Sequence, residues 1–458
     1  MHWKSCLTVI TVNTMAMAAK RESIFKSVVS GISLFGMEKE FHDLSQYPGP
    51  QLPEWLAGKT LYEVYVRAYS QQGDFKGLTR RLDELQAMGI DLIWLMPIYP
   101  IGHKGRKGSL GSPYAVRDYF HVNPEYGSED EFIQLVRKAH DLNMKVILDM
   151  VLNHIAPDYK ELAAKPELVQ YDRQGAAKRK IADWSDVADL NYSSQATWRH
   201  VLKIMRYWIE KFDVDGYRCD VAGMVPIEFW EWAVPRIRKV KKDVFLLAEW
   251  ESPFLHQQAF HATYDWSLYE LMKMVAQGQK KAKILTDWVL LKSQTYPQNS
   301  IFLRFLENHD KPRAMEVFGR EALPAYLTFI FTIDGIPLIY NGQETGADRY
   351  LSLFEKDTID WQRVDRRMMD LIKRLVRLRK EYPALSSKKL QPVDHPHEDT
   401  LLIYDKEELR VVIHFGDETL SSEIVPRFSS YEILFNSERL FNKEAILPYQ
   451  AFILKPGH

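Results

Sequence analysis

From position 61 onward the chain repeats one unit: a short apolar run, a polar loop, then a stretch with apolar residues at every third or fourth position. Residues 61–68 alternate like a strand, and Leu78, Leu82 and Leu85 follow at helical spacing. The run 90–95, bounded by Gly89 and Pro97, reads as a buried strand. Ser128 with Glu131 three residues on is a capping-box signature, and Phe132, Leu135, Val136 and Ala139 give that helix one apolar face. Residues 146–151 read as the next strand. Trp198, Leu202, Met205, Ile209 and Phe212 mark a helix that ends before Gly216. Further strands are predicted at 216–220, 245–249, 301–306 and 337–340, with a weaker signal at 261–265.

Strand then helix, repeated about eight times, predicts an α/β fold: a parallel sheet closed into a (β/α)8 TIM barrel over 55–390. The open doubly wound sheet is the alternative, but no GxGxxG or P-loop follows an early strand. Gly102, Gly105 and Gly108 lie among His103, Lys104, Arg106 and Lys107 without Walker spacing, and read as a solvated flexible loop. The segment 152–192 is too long for an ordinary βα loop and predicts a short inserted subdomain after strand three. After Pro383 the texture changes to short strands between polar turns, predicting a small C-terminal all-β domain over 393–458. Residues 1–54 read as an N-terminal extension, disordered or targeting.

Composition narrows the function. With 60 Lys plus Arg against 61 Asp plus Glu, the chain has no electrostatic reason to seek nucleic acid or an anionic membrane. Its two cysteines, Cys6 and Cys219, make no disulfide framework and no zinc site. The most apolar stretch, 323–340, is interrupted by Asp334, Gly335 and Pro337, which argues against a membrane span. Lys4 precedes a semi-apolar run with a small-residue site at 16–18. Thr8, Thr11, Asn13 and Thr14 dilute that run, so a cytoplasmic location is favoured and export through a leader of about 20 residues is the alternative.

A barrel carries its active site at the carboxyl ends of its strands. Those ends here read Asp149 with Asn153 and His154, then Arg218 with Asp220, then Glu249 with Trp250, then Glu307 through Asp310. Like charges gathered at one mouth are costly unless function uses them. Chemistry that needs carboxylates without a redox cofactor or a reactive serine is glycoside hydrolysis, in which an ionised nucleophile faces a protonated acid. Arg218, two residues before Asp220, shares its face of the strand and would keep it ionised. Glu249 lies among Leu246, Leu247, Ala248 and Trp250, a setting that raises a carboxyl pKa.

The strings DMVLNH (149–154), GYRCDVAG (216–223), LLAEW (246–250) and FLENHD (305–310) resemble, in order, the four conserved regions of the α-amylase family, glycoside hydrolase family 13. GIDLIWLMPI (89–98), DLN (189–191) and GIPLIYNGQE (335–344) support the resemblance, which runs from about Trp55 to the C-terminus. It implies a retaining hydrolase cleaving α-1,4 bonds in starch, glycogen or maltooligosaccharides. It implies Asp220 as nucleophile, Glu249 as acid/base and Asp310 as the third carboxylate holding sugar hydroxyls. It further implies that His154 and His309 bond hydroxyls of the same sugar, that Tyr114 stacks on it, and that Arg218 partners the nucleophile with Asp149 supporting. Trp184, Trp250, Trp266 and Tyr340 are candidates for further subsites or for core packing.

Two departures matter. Many members carry Lys-His where this chain has Gly223 and Met224, positions tied to a leaving-group subsite and a calcium site. Asn153, a calcium ligand in many members, is present, but its partners are not identifiable, so calcium stays unassigned; no organic cofactor is implied. Alternatives on the same scaffold are a transglycosylase, a trehalose–maltose interconverting enzyme, or an inactive sugar-binding relative, the last opposed by the three retained carboxylates. A metal-dependent barrel hydrolase would need an HxH near strand one; His395 and His397 lie far from it.

Overall fold

The computed structural model describes residues 19–30, 32, 36–421, 430–438 and 445–457. Eight parallel strands close into a barrel in sequence order: β1 (Leu61–Val64), β2 (Leu92–Leu95), β3 (Lys145–Met150), β4 (Gly216–Cys219), β5 (Phe245–Ala248), β6 (Ala262–Tyr264), β7 (Ile301–Arg304) and β8 (Ile336–Tyr340), with β8 pairing back onto β1. Each residue of β2, β4 and β5 is buried, because helices cover one face and the barrel interior the other. Register sets the site. Asp149 of β3 stands opposite Arg218 of β4, and Cys219 opposite Ala248 of β5. The residues that follow these strands therefore emerge together on the carboxyl face. Ser128 and Glu131 form the expected reciprocal cap on the helix Glu129–Asp141. The weak signal near 261–265 corresponds to β6.

The first strand is shorter than its alternation predicts. It stops at Val64, and Val66–Tyr69 coil into a helical turn. The turn carries Arg67 inward, fully buried, to pair with Glu125 at 2.7 Å and to donate to the carbonyls of Gly111 and Leu353 at 3.1 and 2.9 Å. A buried guanidinium needs those acceptors, and that demand overrides periodicity. The glycine loop also departs from expectation: it is exposed along part of its length, yet fastened at its start by the His103 N–H donating to Asp158 at 3.0 Å and again at its end. Lys107 pairs with Asp186 at 3.2 Å, and the Ser109 N–H donates to Glu355 at 2.8 Å.

The insertion after β3 is held by a short antiparallel pair, His154–Ile155 with Ala188–Asp189, and by a cluster of Ala115, Ala156 and Val187 with Trp184 against it. Ahead of the barrel, Phe25 stacks on Trp288 at 6.1 Å. Residues 36–38 pair with the loop after β5: the Glu251 N–H donates to the Gly36 carbonyl at 2.7 Å and the Glu38 N–H to the Glu251 carbonyl at 2.9 Å. This stretch of the extension is thus ordered against the barrel; the run read as a leader lies, to residue 18, outside the described residues.

The C-terminal strands β9 (Leu401–Lys406), β10 (Leu409–His414), β11 (Tyr431–Asn436) and β12 (Ala451–Pro456), with Gln391–Pro392 at one edge, form an antiparallel sheet in which β10 and β11 flank β12. It packs on the helix Leu323–Thr332, every residue of which is buried. Tyr326 meets Phe415 with centroids 4.8 Å apart, and Thr332 shares a 2.6 Å hydrogen bond with Tyr404. The apolarity of 323–340 is that of a helix covered on both sides plus a barrel strand. Among the described residues no helix is long and apolar enough to cross a membrane.

Candidate active site

One guanidinium organises the barrel mouth. Arg218, fully buried, donates to Asp149 at 2.9 and 3.1 Å and to Asp220 at 2.8 Å, and its other terminal nitrogen lies 3.1 Å from Glu249. Asp149 also accepts from Trp94 Nε1 at 3.2 Å and Tyr114 Oη at 3.1 Å. Arg218 is steadied further by Tyr264 Oη at 3.2 Å from its Nε. Asp149 therefore positions the cation, and the cation brings Asp220 and Glu249 to the same place.

The two carboxyls differ in setting. Burial pushes Glu249 up to about 8; the nearby charges of Asp220 and Asp310 add to the rise and Arg218 opposes it. Asp220, with a direct 2.8 Å bond to Arg218, has a cation to stabilise its charge. Between the strands that carry them, Val221 adopts φ 37° and ψ 48°, a left-handed conformation unusual for a β-branched residue. Its strained N–H donates to Glu249 Oε2 at 2.8 Å. Strain of this kind costs about 1–3 kcal/mol and persists where the surroundings over-determine it.

His309 lies across the mouth. Its Nδ1 meets Glu63 at 2.5 Å, and its Nε2 meets Asp310 at 3.1 Å and Tyr114 Oη at 2.7 Å. Burial disfavours the imidazolium, but Asp310 and Glu63 outweigh it and hold the ring well above the usual histidine value. Asp310 in turn is held below the usual carboxylate range, His309 outweighing the loss of solvent. His154 is the opposite case: burial lowers its pKa, leaving a neutral imidazole able to donate and accept.

Asp220, Glu249, Asp310, Tyr114, His154 and His309 line one cavity of about 300 Å³, which Trp184 also lines. A second cavity of about 180 Å³ adjoins it, sharing Val221, Glu249 and Asp310 and bounded further by Trp250, Trp266, Lys311 and Gly36. Gly223 is explained here: a Cβ on it would lie 2.2 Å from the Trp250 ring, so the indole occupies space that a side chain would need. Tyr340 is buried, with Arg313 4.6 Å above its ring, and packs rather than lining either cavity. Glu307 is likewise structural, bonded to Arg313 and to the Ala314 N–H.

Periodicity hid Glu63 inside an apparently continuous strand, and the weak β6 signal hid Tyr264. Only knowledge of which strands neighbour each other would have joined Glu63 to His309.

The donors near Asn153 do not suit calcium. Asn153 Oδ1 accepts from Lys180 Nζ at 3.4 Å, and the same ammonium donates to the Met224 carbonyl at 3.2 Å. An ammonium already stands between the two oxygens, and a divalent ion there would be repelled by it.

Comparison with known proteins agrees with this geometry. The α-amylase catalytic-domain model matches residues 52–184 and 180–374. The chain is 28% identical to the α-amylase MalA of Haloarcula japonica over 389 residues, covering 80% of this chain and 56% of that protein. Among solved structures, an α-amylase from Lactobacillus plantarum is 33% identical with a TM-score of 0.78, covering 87% of this chain and 98% of the other. The maltogenic α-amylase AmyB from Thermotoga neapolitana is 33% identical with a TM-score of 0.77, covering 88% and 97%. The strand-end acids, the closed barrel and these matches together show that the chain belongs to the α-amylase family, glycoside hydrolase family 13, and is an enzyme of the glycoside hydrolase class.

Proposed function

We propose that the enzyme cleaves α-1,4-glucosidic bonds of starch, glycogen or maltooligosaccharides with retention of configuration. The observation that carries the reading is the sharing of Arg218 by Asp220 and Glu249, with Glu249 raised to about 8 and hence protonated at neutral pH. Asp220 attacks the anomeric carbon as the bond to the departing sugar breaks, and Glu249 gives its proton to the leaving oxygen. Glu249, now ionised, takes a proton from water, whose oxygen displaces Asp220 and restores the original configuration. Asp310, His154 and His309 hold the sugar's hydroxyls, Tyr114 packs against its ring, and Asp149 orients Arg218.

The test is the anomer released first, followed by proton NMR during hydrolysis of maltooligosaccharide. The α-anomer is expected; initial β-anomer overturns retention. In the same assay Asp220→Ala should lose several powers of ten in kcat with its fold intact, and a variant keeping more than about a tenth of wild-type rate removes Asp220 from the nucleophile's role.

A further inference from the structure

The larger cavity is lined in part by three loops that are fastened to one another: the glycine loop after β2, the late part of the insertion and the loop after β8. Lys107 joins the first two, reaching Asp186 Oδ1 at 3.2 Å and the Asp183 carbonyl at 3.1 Å. Glu355 joins the first to the third: it accepts the Ser109 N–H at 2.8 Å and the Ser109 hydroxyl, while the Leu110 N–H donates to the Phe354 carbonyl at 3.0 Å. A Cβ on Gly108, whose φ is 62°, would lie 2.6 Å from Phe354 Cβ, so the close approach of these loops requires glycine. Beneath them Arg67 ties the carbonyls of Gly111 and Leu353 to the barrel. Loops are ordinarily the mobile part of a barrel. These are cross-linked at several points, and Lys107, Leu353 and Phe354 present the resulting wall to the cavity.

The side on which the wall stands decides what it does, and here the inference rests on the proposed mechanism. A general acid stands beside the leaving group. The smaller cavity shares Val221, Glu249 and Asp310 with the larger one and adds Trp250, Trp266 and Lys311, while Asp220, Tyr114, His154 and His309 line only the larger, so the smaller is the leaving-group side. The wall therefore bounds the glycone side, which in an α-glucan leads toward the non-reducing end. At about 300 Å³ that cavity is at the lower end of the range of about 300–1,000 Å³ for small-molecule sites. On that side a chain cut at an internal bond would have to pass Lys107 and Phe354.

We infer that the fastened loops make this an enzyme of chain ends, removing short saccharides from the non-reducing terminus of α-glucans, with Glu355 and Lys107 as specificity-determining residues. Maltoheptaose carrying a fluorophore at its reducing end tests it. The label is expected to remain on long products that shorten stepwise, and on amylose reducing ends should accumulate well before iodine staining halves. In the Lys107→Ala/Glu355→Ala double variant, short labelled fragments should rise severalfold as a share of early products. Short labelled fragments from the outset with the wild type overturn the inference while leaving the hydrolase reading intact; no cleavage of any α-glucan defeats that reading instead. A double variant with a native circular dichroism spectrum and an unchanged product ratio removes the fastened loops from the role given them.

Discussion

Arg218 does at the level of one residue what the site needs. It lies among three carboxyls that would repel one another if all were ionised, giving direct hydrogen bonds to Asp149 and Asp220 and a contact at ion-pair distance to Glu249. Burial outweighs the cation at both Asp149, raised to about 7, and Glu249, raised to about 8, and at Glu249 the consequence is a pH limit with a definite sign. An acid with its pKa raised to about 8 carries its proton below that pH and loses it above. kcat/KM should therefore be steady through neutrality and fall about tenfold per unit above pH 8. A rate profile on maltotriose checks this; a fall centred near the ordinary glutamate value, with activity confined to acid solution, would remove Glu249 from the acid's role. At this scale the sequence was most legible. The acids at strand ends could be named because a barrel places strand termini at one mouth. Glu63 could not, since its importance comes from a neighbouring strand far away in sequence, and Val221 could not, since backbone strain leaves no mark on residue type.

At the level of elements, the loop after β5 carries Glu249 and is held from both sides. Residues 36–38 pair with it through the backbone of Glu251, and the Glu251 carboxylate accepts from the Ser267 N–H at 2.8 Å and pairs with buried Lys292 at 3.1 Å. Lys292 also lies 3.3 Å from Asp265, which in turn bonds Arg304. A Lys292→Met substitution leaves buried Glu251 without its cation, while Asp265 keeps Arg304. Breaking a buried pair from one side costs about 3–5 kcal/mol. Urea unfolding should show a loss of that size with an unchanged slope; a loss under about 1 kcal/mol would mean that the pairing adds little to the fold. Strand and helix positions were legible here because periodicity and capping are local. The turn at Val66–Tyr69 and the anchoring of residues 36–38 were not, since each is set by partners distant in the chain.

At the scale of the whole molecule, the insertion must be joined to the barrel, because its own core is only a few side chains around Trp184. The barrel and its all-β companion were legible from changes in texture along the chain. How the parts are fastened was not, since Tyr159, Leu168 and Leu190 of the insertion join the barrel's core across long stretches of chain, and single long side chains add cross-links. Lys180 is such a fastener: from the insertion it reaches Asn153, just beyond β3, and the Met224 carbonyl, just beyond β4. In this arrangement a covalently tethered cation supplies the cross-link, and it cannot be removed by a chelator. EDTA and millimolar calcium should each leave Tm unchanged, whereas Lys180→Met should lower it by about one to two degrees, the scale of an exposed charged contact worth about 0.2–1 kcal/mol. Differential scanning calorimetry of the full chain decides the matter. A Tm that falls on chelation and returns with calcium would show that a metal displaces the ammonium, and an unchanged Tm for Lys180→Met would show that the insertion is held by its apolar contacts alone.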